Sequence, residues 1–228
     1  MIKTVFLDMD GTLLDFYKSE SVALSKVLQD FKIEATDEKI KLYSAINLSQ
    51  WKRLEKGEID RERVLVGRFE IFFDQLGETA DASQARRLYE KYLSQGHYFI
   101  DGAEDLLEIL SKKYDLYIAT NGTKKVQLSR IASSGIEKYF KDIFISEDLG
   151  CNKPDKLFFE KCFEKIRSID LSKTVIIGDS LSSDILGGNN AGIKTVWFNP
   201  LHEENNKSLR IDFETDDLSD IPGILEKL

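Results

Sequence analysis

The sequence predicts an α/β protein in which an open parallel sheet is interrupted by an all-helical insertion. Residues 2–8 form a nearly all-apolar run, which is typical of a strand covered on both faces. Residues 17–95 have helical periodicity and contain no strand-like run. From residue 100 onward, short apolar runs alternate with helical segments, and this alternation favours a parallel sheet covered by helices on both sides.

The insertion contains about four predicted helices. Apolar residues recur at helical spacing between residues 22 and 31, which predicts the first helix. Thr36, Asp60 and Asp81 are typical N-cap residues ahead of the next three helices, and Gly77 would end the helix that Asp60 begins. Because no proline precedes Pro154, none of these helices is expected to be interrupted.

The remaining chain follows a regular alternation of strands and helices. Further strands are predicted at residues 116–120, 143–145, 174–177 and 195–198, and helices at residues 106–110, 126–133, 156–166, 183–191 and near the C-terminus. The simplest explanation is that residues 16–97 form a helical domain inserted after the first strand of a core, which residues 1–15 and 98–228 make up. Such a core is Rossmann-like.

Composition and charge argue against several classes of function. The chain has 32 Lys and Arg against 40 Asp and Glu, a net charge of −8, whereas sequence-independent binding of nucleic acid needs a cationic face. No stretch approaches the roughly 18 apolar residues of a membrane span, and none resembles a signal peptide. Cys151 and Cys162 are too few for a disulfide framework or a four-cysteine zinc site. We therefore expect a cytoplasmic monomer or homodimer without a nucleic-acid polymer or membrane as partner.

Three polar clusters lie just after predicted strands, where ligands of open α/β sheets bind. Asp8 and Asp10 follow the first strand at i, i+2 spacing, so both carboxylates would point to one side of an extended segment. One could act as a nucleophile and the other as an acid. The other clusters are Thr120-Asn121-Gly122 and the segment from Gly178 to Asp184. Each cluster alone is also explained as an ordinary turn or helix cap.

The segment after Gly178 and the segment around Pro154 extend this candidate site. Asp179 and Asp184 offer the hard oxygen ligands that Mg²⁺ prefers. Pro154 could fix a helix start and direct Lys153 towards the site, although a lysine by itself is usually a solvated surface charge. Thr12 adds a hydroxyl and an amide N–H for an anion.

The order of these motifs resembles that of the haloacid-dehalogenase-like hydrolase superfamily. The motifs are Asp-x-Asp-Gly-Thr at residues 8–12, Thr-Asn-Gly at residues 120–122, Lys-Pro at residues 153–154 and Gly-Asp-x4-Asp at residues 178–184. Members of that superfamily also carry a helical cap inserted just after the first strand. The resemblance therefore covers the whole chain.

The resemblance implies a role for each matching residue. Asp8 would be the nucleophile that forms an aspartyl-phosphate, and Asp10 would be the general acid and base. The phosphate would be bound by Thr12, Thr120, Asn121 and Lys153. The cofactor would be Mg²⁺, held by the Asp8 carboxylate, the backbone carbonyl of Asp10 and the Asp179 carboxylate. Asp184 would bind the metal through water or would contact the residues that hold it.

Within the superfamily, the first motif indicates a phosphomonoesterase. Asp10 argues against a dehalogenase, because no leaving alcohol needs a proton in that reaction. The insertion resembles the cap of the pyrimidine 5′-nucleotidase branch at residues 47–51, 54–59 and 68–69, and the core resembles the same branch at residues 120–123, 146–150 and 197–200. This closer resemblance implies hydrolysis of nucleoside 5′-monophosphates, a class of small-molecule phosphomonoester.

Two other functions remain open at this stage. A phosphatase or phosphomutase for sugar phosphates would use the same core and differ in the cap. A catalytically idle binding module is the more remote alternative, and such relatives usually lose a catalytic carboxylate or the lysine.

Recognition of the leaving group is assigned to the insertion. Asn47, Trp51 and Arg68 together could stack on a base, hydrogen-bond its edge and contact sugar or phosphate. The alternative is that aromatic residues at this helical spacing pack the core of the insertion. The aromatic set comprises Trp51, Phe69, Phe72 and Phe73.

Overall fold

The computed structural model of the protein describes residues 1–205 and 208–228. The chain divides into two compact units. One, which we call the sheet unit, contains Met1–Asp15 and Tyr98–Leu228, and the other, which we call the helical unit, contains Phe16–His97. Within the described residues, no helix combines the length and the apolar character that crossing a membrane requires.

The helical unit consists of the helices that the sequence predicts. They are α1 (Phe16–Asp30), α2 (Asp37–Glu55), α3 (Arg61–Leu76) and α4 (Ala82–Leu93). The predicted N-caps are confirmed, because the side chains of Thr36, Asp60 and Asp81 each accept a hydrogen bond from the backbone N–H three residues later. Gly77 ends α3 in the left-handed conformation, with φ of 67°.

Aromatic side chains form the interior of the helical unit. The Tyr43 ring lies 5.0 Å from Phe69, 5.3 Å from Phe72 and 5.4 Å from Tyr89, measured between ring centroids. Phe69, Phe72 and Phe73 are all buried, so the core-packing explanation is right for these three. Trp51 is only half-buried.

The sheet unit contains a parallel sheet, as the sequence predicts. In the described part of the chain it has six strands in the order β3-β2-β1-β4-β5-β6. They are β1 (Thr4–Leu7), β2 (Asp115–Thr120), β3 (Asp142–Ile145), β4 (Thr174–Gly178), β5 (Lys194–Phe198) and β6 (Phe213–Thr215). β6, a three-residue strand at the sheet edge with a single buried side chain, was not predicted from the sequence.

Helices cover both faces of this sheet. They are α5 (Ala103–Ser111), α6 (Lys124–Ser134), α7 (Ser146–Leu149), α8 (Lys156–Lys165), α9 (Leu186–Ala191) and α10 (Ile221–Lys227). The single-turn α7 was not predicted. The helix predicted from residue 183 begins as a π-helical turn at Leu181–Ile185 and becomes α-helical only at Leu186.

The alternation of side chains along β1 divides the core between the two faces of the sheet. Val5 and Leu7 belong to a buried cluster that includes Leu107 of α5. Phe6 points into a separate cluster, where its ring lies 6.0 Å from that of Phe159 in α8. Both faces of β1 are therefore apolar, which explains the continuous hydrophobic run near the N-terminus.

Candidate active site

The candidate site lies where the strand order of the sheet reverses. β1 is flanked by β2 on one side and β4 on the other, so the carboxyl ends of these three parallel strands adjoin. Asp8 follows β1 directly, Thr120 is the last residue of β2, and Asp179 follows β4. Such a reversal point is where open α/β sheets bind their ligands.

A buried lysine lies among the carboxylates. Lys153 Nζ donates hydrogen bonds to Asp8 Oδ1 at 2.6 Å, to Asp184 Oδ1 at 2.5 Å and to the Ala119 carbonyl oxygen at 2.6 Å. The side chain is 1% exposed. The explanation of Lys153 as a solvated surface charge is therefore wrong, because all three of its donors are used inside the protein.

Three carboxylates surround a space that suits a cation. One oxygen each of Asp8, Asp179 and Asp184 lies within 4.8 Å of the others. The Thr12 hydroxyl donates to Asp179 Oδ1 at 3.2 Å, and Trp197 Nε1 donates to the Asp179 backbone carbonyl at 2.8 Å, so this aspartate is held from both ends. All the potential metal ligands are oxygen atoms, and the negative charge of the three carboxylates, when ionised, exceeds the single positive charge of Lys153. The site therefore fits a hard divalent cation such as Mg²⁺.

Burial and charge shift the proton affinities of this cluster. Burial raises the pKa of Asp8 to about 7, although the Lys153 ammonium opposes the shift. Burial also raises the pKa of Asp179 well above its usual range, and the neighbouring Asp8 and Asp184 raise it further. The pKa of Lys153 is raised because the attraction of Asp184 and Asp8 outweighs its burial. The cluster therefore combines a permanent ammonium with carboxylates that favour a proton or a metal ion.

Asn121 ties the Lys153 segment to the end of β2. Its Nδ2 donates to the Lys153 carbonyl oxygen at 2.9 Å, and its Oδ1 accepts from the Lys153 backbone N–H at 2.9 Å. This paired contact orients the backbone from which the lysine side chain extends. A direct role of Asn121 in phosphate binding stays a prediction.

Asp10 has a separate set of partners on α6. Its Oδ2 accepts a hydrogen bond from Gln127 Nε2 at 2.8 Å, and its Oδ1 accepts one from an Arg130 guanidinium nitrogen at 2.5 Å. Gln127 Nε2 also donates to Thr120 Oγ1 at 2.8 Å. Gln127 and Arg130 were not predicted from the sequence. Their signal is a pair of polar residues at i, i+3 on the buried face of α6, beside Ile131, where apolar residues are expected.

The candidate specificity residues of the helical unit divide into two groups. Asn47 and Arg68 are buried and bonded to each other, with 2.8 Å between an Arg68 guanidinium nitrogen and Asn47 Oδ1. Asn47 Nδ2 also donates to the buried Glu20 carboxylate at 2.7 Å. Trp51 contacts Arg61 instead, whose guanidinium carbon lies 5.5 Å from the centroid of the indole ring. A role in substrate recognition remains a prediction for all three.

Gly11 permits the close approach of Asp179. Its φ is 84°, and a Cβ added there would lie 2.4 Å from Asp179 Oδ2. We expect Gly11→Ala to lower the free energy of unfolding by about 2–4 kcal/mol, because left-handed backbone strain adds to a steric clash. Urea denaturation measures the loss. The matched control is Gly135→Ala, where φ is 72° but no atom lies within 4 Å, so only the backbone strain applies. Equal losses in the two variants would contradict the steric argument.

A family model described as haloacid dehalogenase-like hydrolase matches residues 5–198, most of the chain. The chain belongs to this family. It is therefore a hydrolase. The six-stranded sheet also agrees with the fold predicted from sequence.

Individual relatives of this haloacid dehalogenase-like hydrolase cover nearly its full length. It is 40% identical to the pyrimidine 5′-nucleotidase PynA of Streptococcus pneumoniae, over 99% of this chain and 95% of the relative. It is 29% identical to the pyrimidine 5′-nucleotidase YjjG of Escherichia coli, over 98% and 97% of the two chains. The chain also resembles a crystal structure of the HAD-hydrolase YfnB of Bacillus subtilis bound to magnesium. The two sequences are 38% identical, and the two folds superpose with a TM-score of 0.94 over 98% of each chain.

Proposed function

We propose that the protein is a Mg²⁺-dependent phosphomonoesterase that acts through an aspartyl-phosphate on Asp8, with pyrimidine nucleoside 5′-monophosphates as its substrates. The observation that carries the proposal is the cluster of Asp8, Asp179 and Asp184, in which Lys153 donates hydrogen bonds to Asp8 and Asp184. The similarity to PynA and YjjG supports the choice of substrate.

The metal would be held by the carboxylates of Asp8, Asp179 and Asp184 and by the Asp10 backbone carbonyl. The magnesium in the YfnB structure and the all-oxygen donor set support this assignment. When bound, Mg²⁺ would neutralise negative charge on the phosphate and on the surrounding carboxylates.

Each side chain of the site is assigned a separate role in the reaction. Lys153 engages Asp8 Oδ1, so we assign attack on phosphorus to Oδ2. The Lys153 ammonium and the Thr120 hydroxyl would stabilise the charge on the phosphate oxygens. Asp10 would protonate the departing alcohol and later take a proton from the water that hydrolyses the aspartyl-phosphate.

Selection of the leaving group is assigned to the helical unit. The buried Arg68 Nε donates to no described residue, and we assign to it a hydrogen bond to a substrate acceptor such as a carbonyl oxygen on a pyrimidine edge. Glu20, Asn47 and Arg68 form a continuous hydrogen-bonded series, which would keep the arginine oriented. Trp51 offers an indole ring for stacking.

The test of substrate class is phosphate release from pyrimidine and purine 5′-monophosphates and from hexose phosphates, in the presence of Mg²⁺. We expect the pyrimidine nucleotides to give the highest kcat/KM, and Trp51→Ala to reduce the advantage of nucleotides over hexose phosphates. The matched control is Leu48→Ala, since Leu48 is a large apolar residue on the same helix and is 46% exposed. If hexose phosphates are favoured tenfold, about 1.4 kcal/mol in transition-state binding, the nucleotidase proposal is wrong and the sugar-phosphate alternative holds.

Metal binding is expected to stabilise the protein more strongly at pH 8 than at pH 5.5. The pKa of Asp8 is about 7 in the folded protein against 3.8 in the unfolded chain, so the folded state binds the extra proton between these values. The stabilisation due to this proton is complete below about pH 4 and is lost as the pH rises through 7. Because Mg²⁺ needs the deprotonated carboxylate, its effect should grow as the proton leaves.

Thermal unfolding with and without Mg²⁺ at the two pH values measures this difference. Asp179→Asn should reduce the Mg²⁺-induced rise in Tm at both pH values, whereas Asp105→Asn, an exposed site on α5, should not. An equal rise in Tm at pH 5.5 and pH 8 would exclude competition between Mg²⁺ and the Asp8 proton, and an unchanged rise in Asp179→Asn would count against the metal site.

A further inference from the structure

Both carboxylate oxygens of Asp10 are bound by side chains of one helix. Gln127 Nε2 donates to Oδ2 and the Arg130 guanidinium donates to Oδ1. The two donors lie one turn apart on α6, and the contacts connect positions more than 115 residues apart in sequence. The arrangement fixes the plane of the carboxyl group as well as its location.

Burial makes this arrangement costly unless the contacts are satisfied. The Arg130 side chain is fully buried, and Gln127 is 1% exposed, whereas the Asp10 side chain is 24% exposed. Replacing a buried ion pair by apolar residues of similar volume is often neutral or stabilising, so stability alone does not explain why an arginine lies on the core face of this helix. A role in orienting the partly exposed Asp10 carboxylate, which Arg130 contacts, would explain why an arginine is present at this buried position.

Gln127 links this pair to the candidate phosphate site. Its Nε2 donates to Thr120 Oγ1 as well as to Asp10, and its Oε1 accepts from Arg130 at 3.2 Å. The amide is therefore oriented from both ends. Gly122 leaves the space that the amide needs, because a Cβ added there would lie 2.4 Å from the Gln127 side-chain carbonyl carbon.

We propose that Arg130 and Gln127 are positioning residues that orient the Asp10 carboxyl group for proton transfer. The inference rests on the proposed function. In the first step, the Asp8 carboxylate forms a bond to phosphorus, the bond from phosphorus to the alcohol oxygen breaks, and the Asp10 proton passes to that oxygen. In the second step, water attacks phosphorus, its proton passes to Asp10, and the bond between Asp8 and phosphorus breaks.

Orientation matters in both steps because proton transfer needs the carboxyl oxygen within hydrogen-bonding distance of its partner. A displacement of about 1 Å can lower the rate roughly 10²-fold. Loss of the orienting side chains should therefore slow reactions in which the leaving group needs a proton. It should matter much less when the leaving group departs as a stable anion.

The test compares two leaving groups in the wild type, Arg130→Met and Gln127→Met. One substrate is p-nitrophenyl phosphate, whose phenolate leaves without a proton, and the other is the alkyl phosphate that the wild type hydrolyses best. The measured quantity is kcat/KM relative to wild type, since this parameter reports steps up to the first irreversible one. We expect each variant to lose at least tenfold more on the alkyl phosphate than on the aryl phosphate.

A purely structural role would lower both values by the same factor, because it would reduce the fraction of active protein. Arg130→Lys should restore part of the alkyl phosphate activity, and it provides a folded variant if Arg130→Met does not fold. The matched control is Lys125→Met, an exposed cation on the same helix, which should change neither value.

Equal losses on the two substrates, or faster hydrolysis in the variants, would overturn the inference and leave the proposed function intact. A wild-type protein inactive on every phosphomonoester would overturn the proposed function, and the inference with it.

Discussion

Asp8→Asn is expected to reduce turnover of every phosphomonoester by roughly 10⁴-fold or more, because an amide cannot replace the carboxylate as the nucleophile at phosphorus. Asp8 is the first residue after the central strand β1, and its side chain accepts a hydrogen bond from Lys153. The substitution keeps the size and shape of the residue. The fold should therefore survive, and circular dichroism and thermal unfolding should resemble those of the wild type.

The measurement is phosphate release with freshly purified protein, since deamidation would regenerate the aspartate. Asp105→Asn is the matched control, because it makes the same chemical change at an exposed position of the sheet unit. Wild-type turnover in an intact Asp8→Asn protein would exclude an aspartyl-phosphate on this residue. Asp10→Asn is expected to lose roughly 10²-fold or more through the missing proton transfer.

Lys153→Met is expected to lower the free energy of unfolding by about 3–5 kcal/mol at pH 8, because it removes the cation from a buried group of carboxylates. Lys153 is the hydrogen-bond partner of both Asp8 and Asp184, which would then be left without their counter-charge. The loss should be smaller at pH 5, because burial raises the pKa of Asp8 to about 7 and this carboxylate can take up a proton there. Phosphate release should also fall sharply, since the lysine would no longer stabilise the transferring group.

Urea denaturation at the two pH values measures the stability of this variant. The matched control is Lys156→Met, since Lys156 is 62% exposed and pairs with Glu160 on the surface of α8 at 2.8 Å. A surface pair of this kind is worth at most about 1 kcal/mol. If the two lysine variants lost the same free energy at pH 8, the counter-charge role of Lys153 would be excluded.

Local sequence signals were sufficient for most of the secondary structure. The N-caps at Thr36, Asp60 and Asp81 depend on contacts three residues apart, so they could be predicted without knowledge of the fold. β1 was predictable because both of its faces are buried. β6 was not, because a three-residue edge strand has too few buried positions to produce a pattern.

The candidate site required both kinds of information. Asp8, Lys153, Asp179 and Asp184 were identified from short motifs, because parallel strands bring their carboxyl ends to one edge of a sheet. The burial of Lys153 was not predictable from its neighbours in sequence, which equally suit a surface lysine. It depends on β1, β2 and β4 being adjacent, which places carboxylates and a backbone carbonyl around one ammonium group.

The sequence by itself therefore determined the α/β class, the helical insertion and the candidate site residues at the ends of the strands. Only the tertiary structure decided which side chains form hydrogen bonds and ion pairs with those residues. Gln127 and Arg130 contact Asp10 across more than 115 positions, and helical periodicity reports that a face is buried but not what it is buried against. The physical reason is that hydrogen bonds and ion pairs act over a few ångströms, so their partners are set by how the chain folds and not by distance along the sequence.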